Sequence, residues 1–264
     1  MRYLADHDYH IHSFRSVCSA NPEQTPERIL QYAKEKNLKK IVLTDHYFDS
    51  AIGVPNDFYK DNGEAYKDSL PLPQADGIEF LIGVEIDMDK ELNIGLSRDR
   101  YDEFDFVIIP TTHFHMLLAD ADKESPKTRA KAWVERFEKV LNSDLPFHKI
   151  GIAHLSCGLI APTEEEYLET LDLIPTEKMQ ELFGKAAKLG VGIELNISEA
   201  HLNMEAEKTE KWLRMYKIAK KQGCKFYLGS DAHHPEELDG AIERFSKIID
   251  ILDLTEEDKF HIGK

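Results

Sequence analysis

One pattern constrains this chain more than any other: six times, a short apolar run ends in His, Glu or Asp. The first is Asp8-Tyr9-His10-Ile11-His12-Ser13, and the others close at Asp45-His46, Glu85, His113, His154 and Asp231-Ala232-His233. Residues two apart on a strand share a face, so His10 and His12 present two imidazoles side by side. Neutral imidazoles held together make a poor core pair and a good start to a metal site.

Helical segments separate these runs. Thr25-Pro26 reads as an N-cap followed by proline in the first turn, with a helix through Ile29, Leu30 and Ala33 that ends near Asn37. Pro126 to Leu141 places Ala132, Trp133, Phe137 and Val140 at helical spacing. Further helices are expected at 96–103, 176–189, 205–222 and, unbroken, 235–252. One or two helices should follow His154. Strands are expected up to His12 and at 41–44, 78–86, 106–109, 150–153, 191–197 and 225–228. The stretch from Tyr47 to about Gly77, with Pro55, Pro71 and Pro73, is either a lid over a pocket or a plain excursion.

Strand and helix alternate seven times with no linker, so residues 1–264 read as one catalytic domain with parallel strands inside and helices outside. An open doubly wound sheet and a closed barrel both put a site at the carboxyl ends of the strands. Ligand-type residues at six of seven strand ends favour the barrel, because there every strand reaches one centre.

A formal charge of −16 argues against long nucleic acid as the main partner. Three scattered cysteines suggest reduced thiols, and no apolar leader or membrane-length run is visible, which points to a cytoplasmic protein without membrane attachment. Cys157 and Cys224 read as small core residues, and Trp133 and Trp212 as core packing. His7, His148, His201, His234 and His261 read as ordinary histidines.

Gathered at one rim, His10, His12, His46, Glu85, His113, His154, Asp231 and His233 exceed what one ion takes. Cys18, on the first loop, can join them. Such a set suits two or three divalent ions with Glu85 as a bridge. A centre of that kind suits phosphoester hydrolysis, because it generates hydroxide near neutral pH and clamps the attacking and leaving oxygens. His115 is a candidate substrate or proton-transfer group. Asp8 and Asp45 are candidates to orient ligand imidazoles, with Asp45 alternatively a turn residue, and Asn196 either reaches the rim or is ordinary strand-end polarity.

In this order the motifs His10-Ile11-His12, Thr44-Asp45-His46, Gly83-Val84-Glu85, His113, Gly151-Ile152-Ala153-His154 and Ser230-Asp231-Ala232-His233 resemble the PHP (polymerase and histidinol phosphatase) family, its free-standing histidinol-phosphatase-type members above all. The resemblance implies a distorted (β/α)7 TIM-like barrel with up to three zinc, manganese or iron ions. His10, His12, Glu85 and Asp231 would hold one ion, and Glu85, His113 and His154 a second. His46 and His233 would hold a third, with Cys18 where relatives often have His or an acid. Metal-bound hydroxide near Glu85 would attack a small phosphomonoester, histidinol phosphate first among them, with Asp231 or His233 serving the leaving oxygen.

One departure bears on substrate. Histidinol-phosphate-specific members tend to carry arginines after the strand-five and strand-six motifs, where this chain has Leu155-Ser156-Cys157-Gly158 and Ile197-Ser198-Glu199-Ala200. Arg15 and Ser16 are the candidates to grip phosphate instead. The rival readings are a nucleotide or oligonucleotide phosphodiesterase, an amide or ester hydrolase, and a metal-loaded module without turnover.

Overall fold

A computed structural model describes residues 1–263. The strands are β1 (His7–Ile11), β2 (Lys40–Leu43), β3 (His46–Tyr47), β4 (Glu79–Ile86), β5 (Phe106–Pro110), β6 (Ile150–Ala153), β7 (Gly192–Leu195) and β8 (Lys225–Leu228). Every ladder is parallel, in the order β1-β2-β4-β5-β6-β7-β8, with the two-residue β3 beside β4. β1 and β8 meet at their carboxyl ends, where Asp231 N–H donates to His10 O (2.8 Å) and His12 N–H to Ala232 O (3.0 Å). The result is a nearly closed barrel of seven principal strands ringed by helices.

The strands are almost wholly buried because both faces of the sheet are covered. Tyr9, Val42, Phe106, Ile108, Ala153, Tyr227 and Phe260 form a separate buried cluster. Within it the Phe106 ring of β5 meets Tyr9 of β1 (5.7 Å) and Tyr227 of β8 (5.2 Å), and residues of such non-neighbouring strands touch only across a barrel interior. Gly151 leaves room for this filling: a Cβ there would lie 2.6 Å from both Phe106 Cζ and Tyr227 Oη. The larger core lies between the strands and the surrounding helices, around Trp133, Phe137, Phe183 and Trp212.

The helices start where their caps predict. Thr25 accepts from Arg28 N–H before Pro26–Glu35, and Ser125 with Thr128 closes a capping box before Pro126–Asn142. Two helices, Glu164–Leu173 and Thr176–Leu189, follow β6.

Three expectations change. The final helix is broken at Gly240 into Pro235–Asp239 and Ala241–Ile251. The segment expected at 96–103 is a 3₁₀ helix, Arg98–Glu103. The stretch after Tyr47 contains the helix Asp57–Asn62 and the 3₁₀ turn Ala65–Ser69, and Tyr59 and Tyr66 pack inward. It forms a wall of the barrel mouth. Among the described residues, no helix is long and apolar enough to cross a membrane.

Candidate metal centre

Glu85, next to last in β4, is almost fully buried, and imidazoles surround it. Its Oε2 lies 3.5 Å from His10 Nε2, 3.3 Å from His12 Nε2 and 3.1 Å from His46 Nδ1. Its Oε1 lies 3.0 Å from His154 Nε2 and 3.9 Å from His113 Nε2. Asp231 Oδ1 completes the first group, 3.3 Å from His10 Nε2 and 3.2 Å from His12 Nε2, which are themselves 3.0 Å apart.

These spacings test whether a cation fits. Zinc bonds of about 2.0–2.1 Å in a tetrahedron put neighbouring ligand atoms about 3.3 Å apart. The contacts among His10, His12, Glu85 and Asp231 run from 3.0 to 3.5 Å. The donor set therefore fits a divalent ion. Two further groups, Glu85–His113–His154 and His12–Cys18–His46–His233, also have ligand atoms within 4.8 Å of one another.

The rings are held by their other nitrogen. His10 Nδ1 pairs with Glu194 Oε1 (2.6 Å), and His113 Nδ1 with Asp87 Oδ2 (2.9 Å). His154 Nδ1 is 3.2 Å from Thr112 Oγ1, and His233 Nδ1 is 2.7 Å from Asp231 O. Each contact leaves Nε2 for the centre and fixes ring orientation. His154 and Asp231 have φ of 28° and 54°, the left-handed region that non-glycine residues seldom adopt. Both sit where a strand turns its last side chain into the mouth.

The charges follow from crowding. Burial alone would raise the Glu85 carboxyl, but His46 and His10 outweigh it and hold it well below the usual range. Asp231 is likewise lowered, against burial, by His10 and His12. Burial disfavours the charged form of His12 and of His113. Asp231 and Glu85 nonetheless lift His12 to about 9, and Asp87 lifts His113 to about 9. Burial drives His46 down to about 3 and lowers His233, so both stay neutral at physiological pH.

All nine predicted ligand residues therefore meet at the barrel mouth. Asp8 and Asp45 do not take the expected part. Asp8 accepts from Ser230 N–H (3.0 Å) and Tyr32 hydroxyl (3.2 Å), and Asp45 from Ser13 N–H and hydroxyl (both 2.7 Å). Both brace backbone and loops. The imidazole partners are Glu194, Asp87 and Thr112, which sequence reasoning missed. Glu194 and Asp87 left a readable signal, each being an acid inside an apolar strand end.

Arg15 is exposed, its guanidinium 4.4 Å from the Phe14 ring, and Ser16 is buried with its hydroxyl 3.2 Å from Cys18 Sγ. The exposed His115 lies with its ring 5.9 Å from that of His113. Asn196 Nδ2 reaches Asp231 Oδ2 at 3.5 Å. Cys157 lines a cleft beside His154 instead of the core, whereas Cys224 is buried as expected.

A model of the PHP domain matches residues 8–198. The chain belongs to the PHP family. The match ends before β8, and the fold brings Asp231 and His233 from outside it to the same mouth. PHP membership supports a metal-dependent phosphoesterase. No curated protein matches the sequence significantly. Among solved structures, the chain is similar to histidinol phosphate phosphatase from Lactococcus lactis subsp. lactis Il1403, complexed with zinc, L-histidinol and phosphate. The TM-score is 0.59 at 18% identity, covering 98% of this chain and 100% of that one. At that identity the likeness establishes the fold. A phosphotriesterase homology protein from Escherichia coli, complexed with phosphate in its active site, aligns at TM-score 0.45 and 10% identity over 97% and 95% of the chains, too slight to carry an argument.

Proposed function

We propose that residues 1–264 act as one PHP-type hydrolase that cleaves small phosphomonoesters, histidinol phosphate being the first to test. It would do so with two or three divalent ions of zinc, manganese or iron. The observation that carries this reading is Glu85, whose two oxygens face five imidazoles within 3.9 Å. His10, His12, Glu85 and Asp231 would hold one ion, and Glu85, His113 and His154 a second. Cys18, His46 and His233, with His12 alongside, would hold a third.

Such ions supply the positive charge that activates water and neutralises charge building on the phosphoryl group. The chain's own residues do the rest. Glu194, Asp87 and Thr112 hold ring nitrogens so that the ligands need not reorganise during turnover. Asp231 stays ionised, and its Oδ2 lies toward Asn196, away from the Oδ1 that faces His10 and His12. From that position the Asp231 carboxylate would accept a hydrogen bond from a water, and the proton released by the attacking water would pass through that water to the leaving oxygen, with His233 as its neighbour. Arg15 and His115 are the rim groups we assign to the substrate, Arg15 for its phosphate oxygens. Ser16 acts through Cys18.

The test is turnover of p-nitrophenyl phosphate and histidinol phosphate by protein loaded with each metal. Chelator-sensitive hydrolysis supports the reading. Fully loaded protein that hydrolyses no phosphomonoester overturns it.

A further inference from the structure

A cleft of about 420 Å³ adjoins the ligand cluster, with His154 and Asp231 in its wall. The rest of the lining comes from residues 156–167 and 196–204, including Pro162, Tyr167, Ala200 and Met204. Among the described residues, no lysine or arginine lines it. Besides Asp231 its one carboxylate is Glu164, which is paired with Lys208 outside the lining. Arg129, nearby, is taken up by Glu166 and the Lys123 carbonyl.

The histidine in the far wall supplies no positive charge. His201 stacks on Trp212 at 4.6 Å and 22°. Tyr167 hydroxyl donates to Ser156 O (2.7 Å), so at 3.4 Å it accepts from His201 Nε2–H. Burial pushes His201 down to about 4, which leaves the ring neutral.

A carboxylate or second phosphate placed in the part of the cleft away from the ligand cluster would leave water for a largely apolar wall, with no lysine or arginine in the lining to pair with it. The volume lies at the small end of ligand pockets, about 300–1,000 Å³, enough for one ring and a short arm. We propose that this cleft receives the alcohol part of the phosphate ester and selects alcohols with an uncharged ring and no anionic group. The assignment rests on the phosphoesterase reading and adds its substrate class. The phosphate itself is left to the ions and rim, which is how the chain manages without arginines after β6 and β7.

The test uses full-length metal-loaded protein and pairs of ligands that differ by one carboxylate. Calorimetric titration should show phenylphosphonate binding about tenfold or more tighter than 4-carboxyphenylphosphonate, and tighter than methylphosphonate. Phenyl phosphate should exceed 4-carboxyphenyl phosphate in kcat/KM by a similar factor. Ala200→Arg, at an exposed lining position, should narrow both gaps by strengthening the carboxylated member. Equal binding of the two arylphosphonates, no advantage over methylphosphonate, or no binding at all overturns the assignment. Phosphonates that rank as expected while no ester is hydrolysed uphold the cleft and remove the phosphoesterase reading. Equal hydrolysis of both esters does the reverse.

Discussion

Glu194 Oε1 lies 2.6 Å from His10 Nδ1, and its Oε2 accepts the His154 backbone N–H at 2.8 Å. One buried carboxylate on β7 thereby fixes two candidate ligands, one on β1 and one just past the end of β6. Glu194→Gln keeps the shape and removes the charge that strengthens the His10 bond. Metal affinity, measured by competition with a chromophoric chelator, should fall about 10–100-fold. Unchanged affinity would reduce Glu194 to ordinary packing.

Cys18 sits among His12, His46 and His233. Burial pushes its thiol up to about 12, so a nearby cation is needed to draw off the proton. Cobalt-loaded protein should show sulfur-to-cobalt absorption that Cys18→Ser abolishes, together with loss of about one ion per chain. Identical spectra would remove Cys18 from the ligand set.

Arg136 is buried and donates only to backbone carbonyls: Thr111 O (3.1 Å), Asp89 O (3.1 Å), Met88 O (2.5 Å) and Leu117 O (3.5 Å). It ties the segment after Asp87 to the segment around His113. Arg136→Met strands several carbonyls, each at about 1–3 kcal/mol, so urea unfolding should show a loss of roughly 3 kcal/mol or more. Arg136→Lys should recover part of it. A loss under roughly 1 kcal/mol for Arg136→Met would mean that water replaces the guanidinium.

His201 gives a pH dependence with a definite sign. Its folded pKa, about 4, lies below the unfolded value of about 6.5. Its contribution to stability is therefore complete above pH 6.5 and is lost as pH falls from 6.5 toward 4, by up to roughly 3 kcal/mol. His201→Phe keeps the stack on Trp212 and has no proton to gain. With chelator present in both samples, urea unfolding at pH 7 and pH 4.5 should show a smaller drop for the variant. Parallel drops would contradict the assignment.

The barrel and eight of its nine candidate ligands were legible because each lies at or just after the end of a short apolar run, and parallel strands carry such positions to one rim. Cys18, on the loop after the first run, falls outside that pattern and is tied to a particular ion only by the family resemblance. What lay beside the ligands was harder to read. Asp8 and Asp45 neighbour the motifs in sequence, yet nothing local says that their carboxylates turn to Ser230 and Ser13. Glu194 finds His10 across 184 residues, a pairing that only barrel closure creates. Tyr59 and Asn62 come from the stretch after Tyr47, with Tyr59 donating to Asp87 and Asn62 to the His46 carbonyl, and its composition announces only irregularity. The cleft around Tyr167 and His201 arises from packing between separate segments, and His201 alone reads as an ordinary histidine.

The central claim is that Glu85 gathers several cations, and metal content per chain tests it most directly. Elemental analysis of purified wild-type protein should return two to three zinc, manganese or iron ions per chain, and Glu85→Ala should retain one or fewer. Wild-type protein that binds no ion after metal loading, or Glu85→Ala that keeps the full complement, would contradict the account.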